Sequence, residues 1–158
     1  MAVQPTTPGR QGGAAELDAA DRAILDALRS DARMSFTELG RVAGLSTSAV
    51  HQRVRRLEDR GVIRGYTVRV DAEAVGLPLT AFIAITPISP SDPDDLPERL
   101  APLPAVVSCY SVAGDANYLL QVRVATPRDL ELLVSEIRSV AHVTTRTTVV
   151  LSTPFEDR

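Results

Sequence analysis

The sequence predicts an α+β fold in two parts: a winged helix-turn-helix unit over residues 16–70 and a ferredoxin-like βαββαβ domain over residues 79–153. Three observations carry that expectation. The run Ser35–Gly61 reads as two helices around a glycine turn. The hydrophobic period changes from helical to alternating after Pro78. The second half then orders its segments β-α-β-β-α-β, the split arrangement of ferredoxin-like domains.

Residues 1–15 are rich in Gln, Thr, Pro and Gly and lack the apolar stretch of a signal peptide, so a disordered arm is expected there. Asp18 is placed as the N-cap of a first helix, with Asp21 in its first turn near the positive end of the helix dipole. Ile24, Leu25 and Leu28 form its apolar stripe, and it ends near Ser30 and Asp31. Thr37–Ala43 gives a second helix that stops at Gly44, where glycine takes the left-handed conformation of a helix end. Ser46 then caps a third helix. Val50, Val54 and Leu57 make its buried stripe, and Ser48, His51, Gln52 and Arg55 fall on the opposite face. Gly61 ends this helix. Val62–Val70, β-branched and alternating in its second half, reads as the strand of a wing.

Two short helices joined by a tight turn, the second polar and basic outside, form the pattern of DNA-reading helix-turn-helix units. The charge agrees. Between Arg41 and Arg69 seven arginines meet only Glu58 and Asp59, an excess of +5 in a chain whose total is −3. Such concentration is the electrostatic footprint of a nucleic-acid site. Base-edge readout is assigned to Ser48, His51, Gln52 and Arg55, the last suited to guanine in the major groove. Ser46, Thr47, Arg53, Arg56 and Arg64 are expected at phosphates. Arg53 and Arg56 flank the exposed face, and pairing with an acid of the same domain stays open for both. All 17 basic residues are arginine, a bias that weakens the argument from any single one.

Asp71–Pro78, holding Gly76 and Pro78, marks a linker. Leu79–Ile88 reads as a strand, and Asp92–Leu103 as an acidic, proline-rich segment with a short helix around Leu96 and Leu100. Val106–Val112 and Tyr118–Val124 flank the turn Gly114–Asn117 as a hairpin. Pro127 opens a helix with the stripe Leu130, Leu133, Val134 and Ile137, Val143–Leu151 is the closing strand, and residues 154–158 form a tail. These helices cover one sheet face. Both residue sets of the first strand are mostly apolar or small, so the other face is expected to meet a second copy in a two-fold homodimer.

Other functions find little support. No apolar run has the length of a membrane span, so no membrane partner is expected. Cys109 stands alone in an apolar run, which excludes an internal disulfide, fits a cytoplasmic setting and suggests a buried, inert thiol. His51 and His142 lack ligand-spaced neighbours, and no metal pattern, phosphate-cradling glycine loop or nucleophile-and-base set is present. Neither a cofactor nor an enzymatic role is expected.

The motifs Leu17-Asp18, Asp21-Arg22, Ile24-Leu25, Gly44-Leu45-Ser46, Arg53–Glu58, Gly61-Val62-Ile63 and Gly65-Tyr66 resemble the Lrp/AsnC, or feast/famine, transcriptional regulators of bacteria and archaea. Ala81-Phe82, Cys109-Tyr110, Val112–Asp115 and Tyr118–Leu120 are similar to the family's amino-acid-sensing domain, so the resemblance spans about residues 17–153. The runs Ala81–Pro87 and Ser108–Gly114 look most like actinobacterial, hence bacterial, members. The resemblance implies dimers formed through the sheets and assembled further, often to octamers. It also implies a small effector, usually an amino acid, between dimers near the hairpin and the last strand. Carried across, Gly114, Asp115, Ala116, Asn117 and Tyr118 line the pocket and face Thr145 and Thr147. A glycine turn presents amides to a carboxylate, while Asp115 or a carbonyl takes the ammonium. Ala113, Asn117 and Ala141-His142 depart from the family's pattern and leave the effector's identity open.

Two rivals remain in view. The same strand order builds RNA-recognition folds, which stack bases on sheet aromatics, yet the central hairpin offers only Tyr110 and Tyr118. An amino-acid-binding regulatory subunit of an enzyme would use the N-terminal helices only as a dock.

Overall fold

A computed structural model describes residues 16–89 and 95–155. The expected arm, the start of the acidic segment and the end of the tail lie outside the described residues. The chain divides into two units between Val68 and Arg69.

The first unit is three helices, α1 (Ala19–Ser30), α2 (Phe36–Ala43) and α3 (Thr47–Asp59). Each start is fixed by a local side chain. Asp18 accepts the Asp21 amide at 2.8 Å, Ser35 and Glu38 form a reciprocal capping box, and Ser46 accepts the Ala49 amide at 3.3 Å. Gly44 ends α2 in the left-handed region at φ 67°, as the helix stop requires. Ile24, Leu39, Val50, Val54 and Leu57 form the core, with Val62 and Ile63 packed against it.

The second unit is a four-stranded antiparallel sheet with two helices on one face. Its elements are β1 (Leu79–Pro87), α4 (Leu96–Leu100), β2 (Val106–Ser111), β3 (Tyr118–Val124), α5 (Pro127–Ala141) and β4 (Val143–Val149). The sheet order β2-β3-β1-β4 is that of the predicted split βαββαβ arrangement. Ala81, Ile83 and Ile85 of β1, with Leu120, Val122 and Val124 of β3, meet Leu96, Leu100, Leu130, Leu133 and Ile137 of the helices. Each fully buried isoleucine or leucine there contributes about 1.5–3 kcal/mol. Arg99 Nη2 donates to the Val140 carbonyl at 2.5 Å, tying α4 to the last turn of α5.

The pleat leaves Thr80, Phe82, Ala84, Leu119, Gln121, Arg123, Tyr110, Arg146 and Thr148 on the face without helices, as the pairing of Phe82 with Gln121 and Thr148 requires. That face carries an open cleft of about 820 Å³, floored by Thr80, Phe82, Gln121 and Arg123 and flanked by segments 69–73 and 150–154.

Two expectations are corrected. The wing strand over Val62–Val70 does not form among the described residues. The Val62 and Ile63 amides instead donate to the Leu57 carbonyl, closing the end of α3, and residues 64–70 are not in a strand. β-Branched alternation alone makes no strand without a neighbour to accept its hydrogen bonds. Cys109 is exposed, not buried. It shares the core-side parity of Leu120, but β2 is an edge strand of which only the start, Val106, packs against the core. Partial burial still raises its thiol pKa above the ordinary value.

Candidate nucleic-acid interface and effector cleft

The outer face of α3 follows from its helical phase. With Val50, Val54 and Leu57 sunk into the core, Thr47, Ser48, His51, Gln52 and Arg55 stand exposed on one side. The Ser46 hydroxyl is engaged, capping the helix and lying 3.1 Å from the Ser48 hydroxyl. His51 meets the ring of Phe36 edge-on, with centroids 5.1 Å apart, so a residue of α2 restrains its orientation. Arg64 is exposed beyond the helix end, beside a groove lined by Leu17, Arg22 and Leu25. Tyr66 donates to Glu58 at 2.9 Å, and burial, then that carboxylate, raises its phenol pKa.

Arg53 and Arg56, expected at phosphates, are bound within the unit. Arg53 Nη1 donates to Asp18 Oδ2 at 2.6 Å and to Asp21 Oδ1 at 2.7 Å. Arg56 Nη2 donates to both Asp21 oxygens, at 3.1 and 3.2 Å. Asp21 is only 1 % exposed, a carboxylate that burial would make costly without these partners. Hydrogen bonds from the Asp21 amide and then from Arg53 hold the Asp18 carboxyl below the usual range. The same pairs hold the Arg53 guanidinium above its ordinary value. Asp18 is the N-cap of α1 and Asp21 lies in its first turn, so helical spacing within α3 gave no sign of them.

In the second unit a cleft of about 170 Å³ is lined by Ala84, Thr86, Asp115, Ala116, Thr144, Thr145 and Arg146. It brings together Asp115, Ala116 and Thr145 of the expected effector set. Thr86 Oγ1 donates to the Asp115 carbonyl at 3.4 Å, and Thr144 Oγ1 to the Thr86 carbonyl at 3.3 Å. Thr145 Oγ1 accepts from Arg138 Nε at 2.8 Å. Gly114 and Asn117 sit in the adjoining turn, and the Asn117 amide donates to the Ile85 carbonyl at 3.0 Å. Two more residues of the expected set stand elsewhere. Tyr118 is 9 % exposed and belongs to the core, because its strand position shares the parity of Leu120 and Val122. Thr147 pairs with Ile83, farther along β4 and outside this cleft. Arg146, Thr144 and Thr86 line the same cleft and were not in the expected set. The alternation of Thr144 with Arg146 places both on one face, but only the register with Ala84 and Thr86 brings them to the hairpin.

Comparison with known proteins supplies the family. Residues 17–58 match the AsnC-type helix-turn-helix domain, and residues 80–158 match the Lrp/AsnC ligand binding domain. The chain is 54% identical over 142 residues to the HTH-type transcriptional regulator LrpA of Mycobacterium tuberculosis, covering 90% of this chain and 95% of that protein. It is 33% identical to LrpC of Bacillus subtilis over 82% of this chain and 90% of that one. Among solved structures, a feast or famine regulatory protein of M. tuberculosis complexed with L-methionine superposes with a TM-score of 0.89 at 53% identity. That match covers 90% of this chain and 97% of the other. A Neisseria meningitidis transcriptional regulator, also complexed with L-methionine, gives 0.79 at 29% identity, over 89% of this chain and 94% of that one. Among the described residues no helix is long and apolar enough to cross a membrane, and no group of acidic, histidine or cysteine side chains is placed to hold a metal. Two family domains in this order, with the fold of each, lead to one conclusion: the chain belongs to the Lrp/AsnC family of DNA-binding transcriptional regulators.

Proposed function

We propose that α3 enters the major groove of an operator and reads base edges with Ser48, His51, Gln52 and Arg55, while Thr47, Ser46 and Arg64 meet phosphates. The observation that carries this reading is the exposed polar face of α3, set by the burial of Val50, Val54 and Leu57 on its other side. Arg55 sits mid-face and, among the described residues, forms no ion pair that would withhold it. Two such units on a homodimer would demand half-sites about one helical turn, or a multiple, apart.

The sensing domain takes an amino acid. A zwitterion needs an acceptor for its ammonium and donors for its carboxylate. The cleft with Asp115, Thr86 and Arg146, beside the Gly114–Asn117 turn, offers both kinds of group. The methionine complexes of two relatives support an amino acid and make L-methionine the first to try. Copies pair through the helix-free sheet face, where Phe82 and Leu119 stand among polar residues, and dimers assemble further, up to an octamer as in the family. The protein acts in the cytoplasm, where its DNA lies, and has no catalytic role.

The test is a titration of the purified protein against its own upstream DNA and a scrambled duplex, at several salt concentrations, with and without each amino acid. Selective binding that weakens steeply with salt, shifted by one amino acid, is the expected result. Equal, weak binding to both duplexes would move the reading to a regulatory subunit docked through its N-terminal helices.

A further inference from the structure

We propose that Asp18 and Asp21 withdraw Arg53 from DNA phosphates, and hold Arg56 by one nitrogen, so that α3 carries a built-in limit on sequence-independent affinity. The inference rests on the reading that α3 lies against DNA. Its basis is geometric. Arg53 Nη1 lies 2.6 Å from Asp18 and 2.7 Å from Asp21, and its side chain is only 25% exposed. Asp21 is 1% exposed and receives a second guanidinium from Arg56 at 3.1 Å. Such charge-assisted bonds are short and strong, and breaking them would leave a buried carboxylate without compensation. A phosphate on the surface offers Arg53 no better partner than the two it has. Arg56, half-exposed, is bound through Nη2.

The consequence is a division of labour along one helix. The excess of +5 between Arg41 and Arg69 falls to +3 once the two aspartates packed against α3 are included. Phosphate contacts supply essentially all non-specific binding, whereas base edges supply discrimination. Neutralising two arginines beside the reading face lowers the first term and leaves Ser48, His51, Gln52 and Arg55 to provide the second. Asp18 and Asp21 are thus positioning residues that act on specificity without touching DNA.

The experiment measures affinity for a scrambled duplex and for the operator across a salt series, using the full chain and its Arg64→Gln, Arg55→Gln, Arg53→Gln, Asp18→Asn and Asp18→Asn/Asp21→Asn variants. Arg64→Gln, at a phosphate contact, should make the log–log salt slope shallower by about 0.9 per protomer bound, whereas Arg55→Gln should cost operator selectivity. Arg53→Gln should leave the slope unchanged. The double aspartate variant should bind the scrambled duplex more tightly at low salt, with a slope steeper by about 0.9 per protomer as Arg53 is released, and should lose selectivity. A purely structural role predicts weaker binding to both duplexes, never tighter binding to the scrambled one. If circular dichroism shows the double variant unfolded, Asp18→Asn alone should give the same sign with a smaller step, since asparagine keeps the cap. An Arg53→Gln slope as shallow as that of Arg64→Gln overturns the proposal. Unchanged operator selectivity in Arg55→Gln removes α3 from the DNA, and the proposal falls with it.

Discussion

A Cβ atom added to Gly40 would lie 2.7 Å from the carbonyl oxygen of Leu45. The two residues face each other across the turn between α2 and α3, where the Leu45 amide also donates to the Gly40 carbonyl at 2.9 Å. The obstructing atom is backbone, so no side chain can swing away. Gly40→Ala should therefore destabilise the first unit by about 1–3 kcal/mol, the usual scale of overpacking, despite alanine's better helix propensity. Urea unfolding followed by helical circular dichroism reads this directly. A variant as stable as the parent would mean that the turn has slack the geometry does not display.

His142 is, among the described residues, the one non-glycine with a positive φ, 53°, and it ends α5 in the left-handed region. A side chain there is crowded by its own backbone. His142→Gly should stabilise the second unit by about 0.5–1 kcal/mol net of the glycine's extra freedom when unfolded. A melting temperature that falls in calorimetry would contradict this.

Ser46 allows capping and phosphate contact to be separated. Ser46→Ala loses the bond to the Ala49 amide and should cost about 1 kcal/mol of stability. Ser46→Asp keeps a cap, so stability should hold while operator affinity drops through repulsion of phosphates. Equal affinity for the aspartate variant and the parent would place Ser46 away from the DNA backbone.

Acid should weaken the first unit. Hydrogen bonds from the Asp21 amide and then Arg53 depress the Asp18 pKa from 3.8, and bonds from the Ser35 hydroxyl and amide depress that of Glu38 from 4.5. A group with a lowered folded pKa stabilises above its unfolded value and loses that contribution as pH falls through the folded one. Both contributions are therefore complete above about pH 4.5 and fade below it. Urea midpoints measured down the pH scale should fall less steeply in a Glu38→Gln variant. Parallel curves would remove Glu38 from the account.

Phe82 lies on the helix-free face, opposite Gln121 and Thr148, and outside the core of its own unit. Phe82→Asp should yield monomers in sedimentation while the fold, read by circular dichroism, is kept. Unaltered assemblies would locate pairing elsewhere on the chain.

What the sequence disclosed was local chemistry. Asp18, Ser46 and Gly44 act within a few residues of themselves, so their caps and turn were legible, as were the stripes of α3 and α5. Partnerships across the chain were not. The 35-residue separation between Asp18 and Arg53 leaves no periodic trace, and a strand such as Val62–Val70 differs from an unpaired extended segment only by a neighbour. The burial of Tyr118 and the exposure of Cys109 were hidden for a related reason. Alternation says that successive residues face opposite ways, but register decides which way the core lies, and edge position decides whether a core-side residue is covered.

The helix-free sheet face has a thermodynamic consequence. Its residues stand on the same four strands whose opposite sides build the core, so those strands cannot unravel while that face is covered. Occupying it adds to the free energy of unfolding through mass action, in proportion to the logarithm of the free concentration of whatever occupies it. For a cover made of the chain itself, the melting point of the second unit becomes a function of how much protein is present.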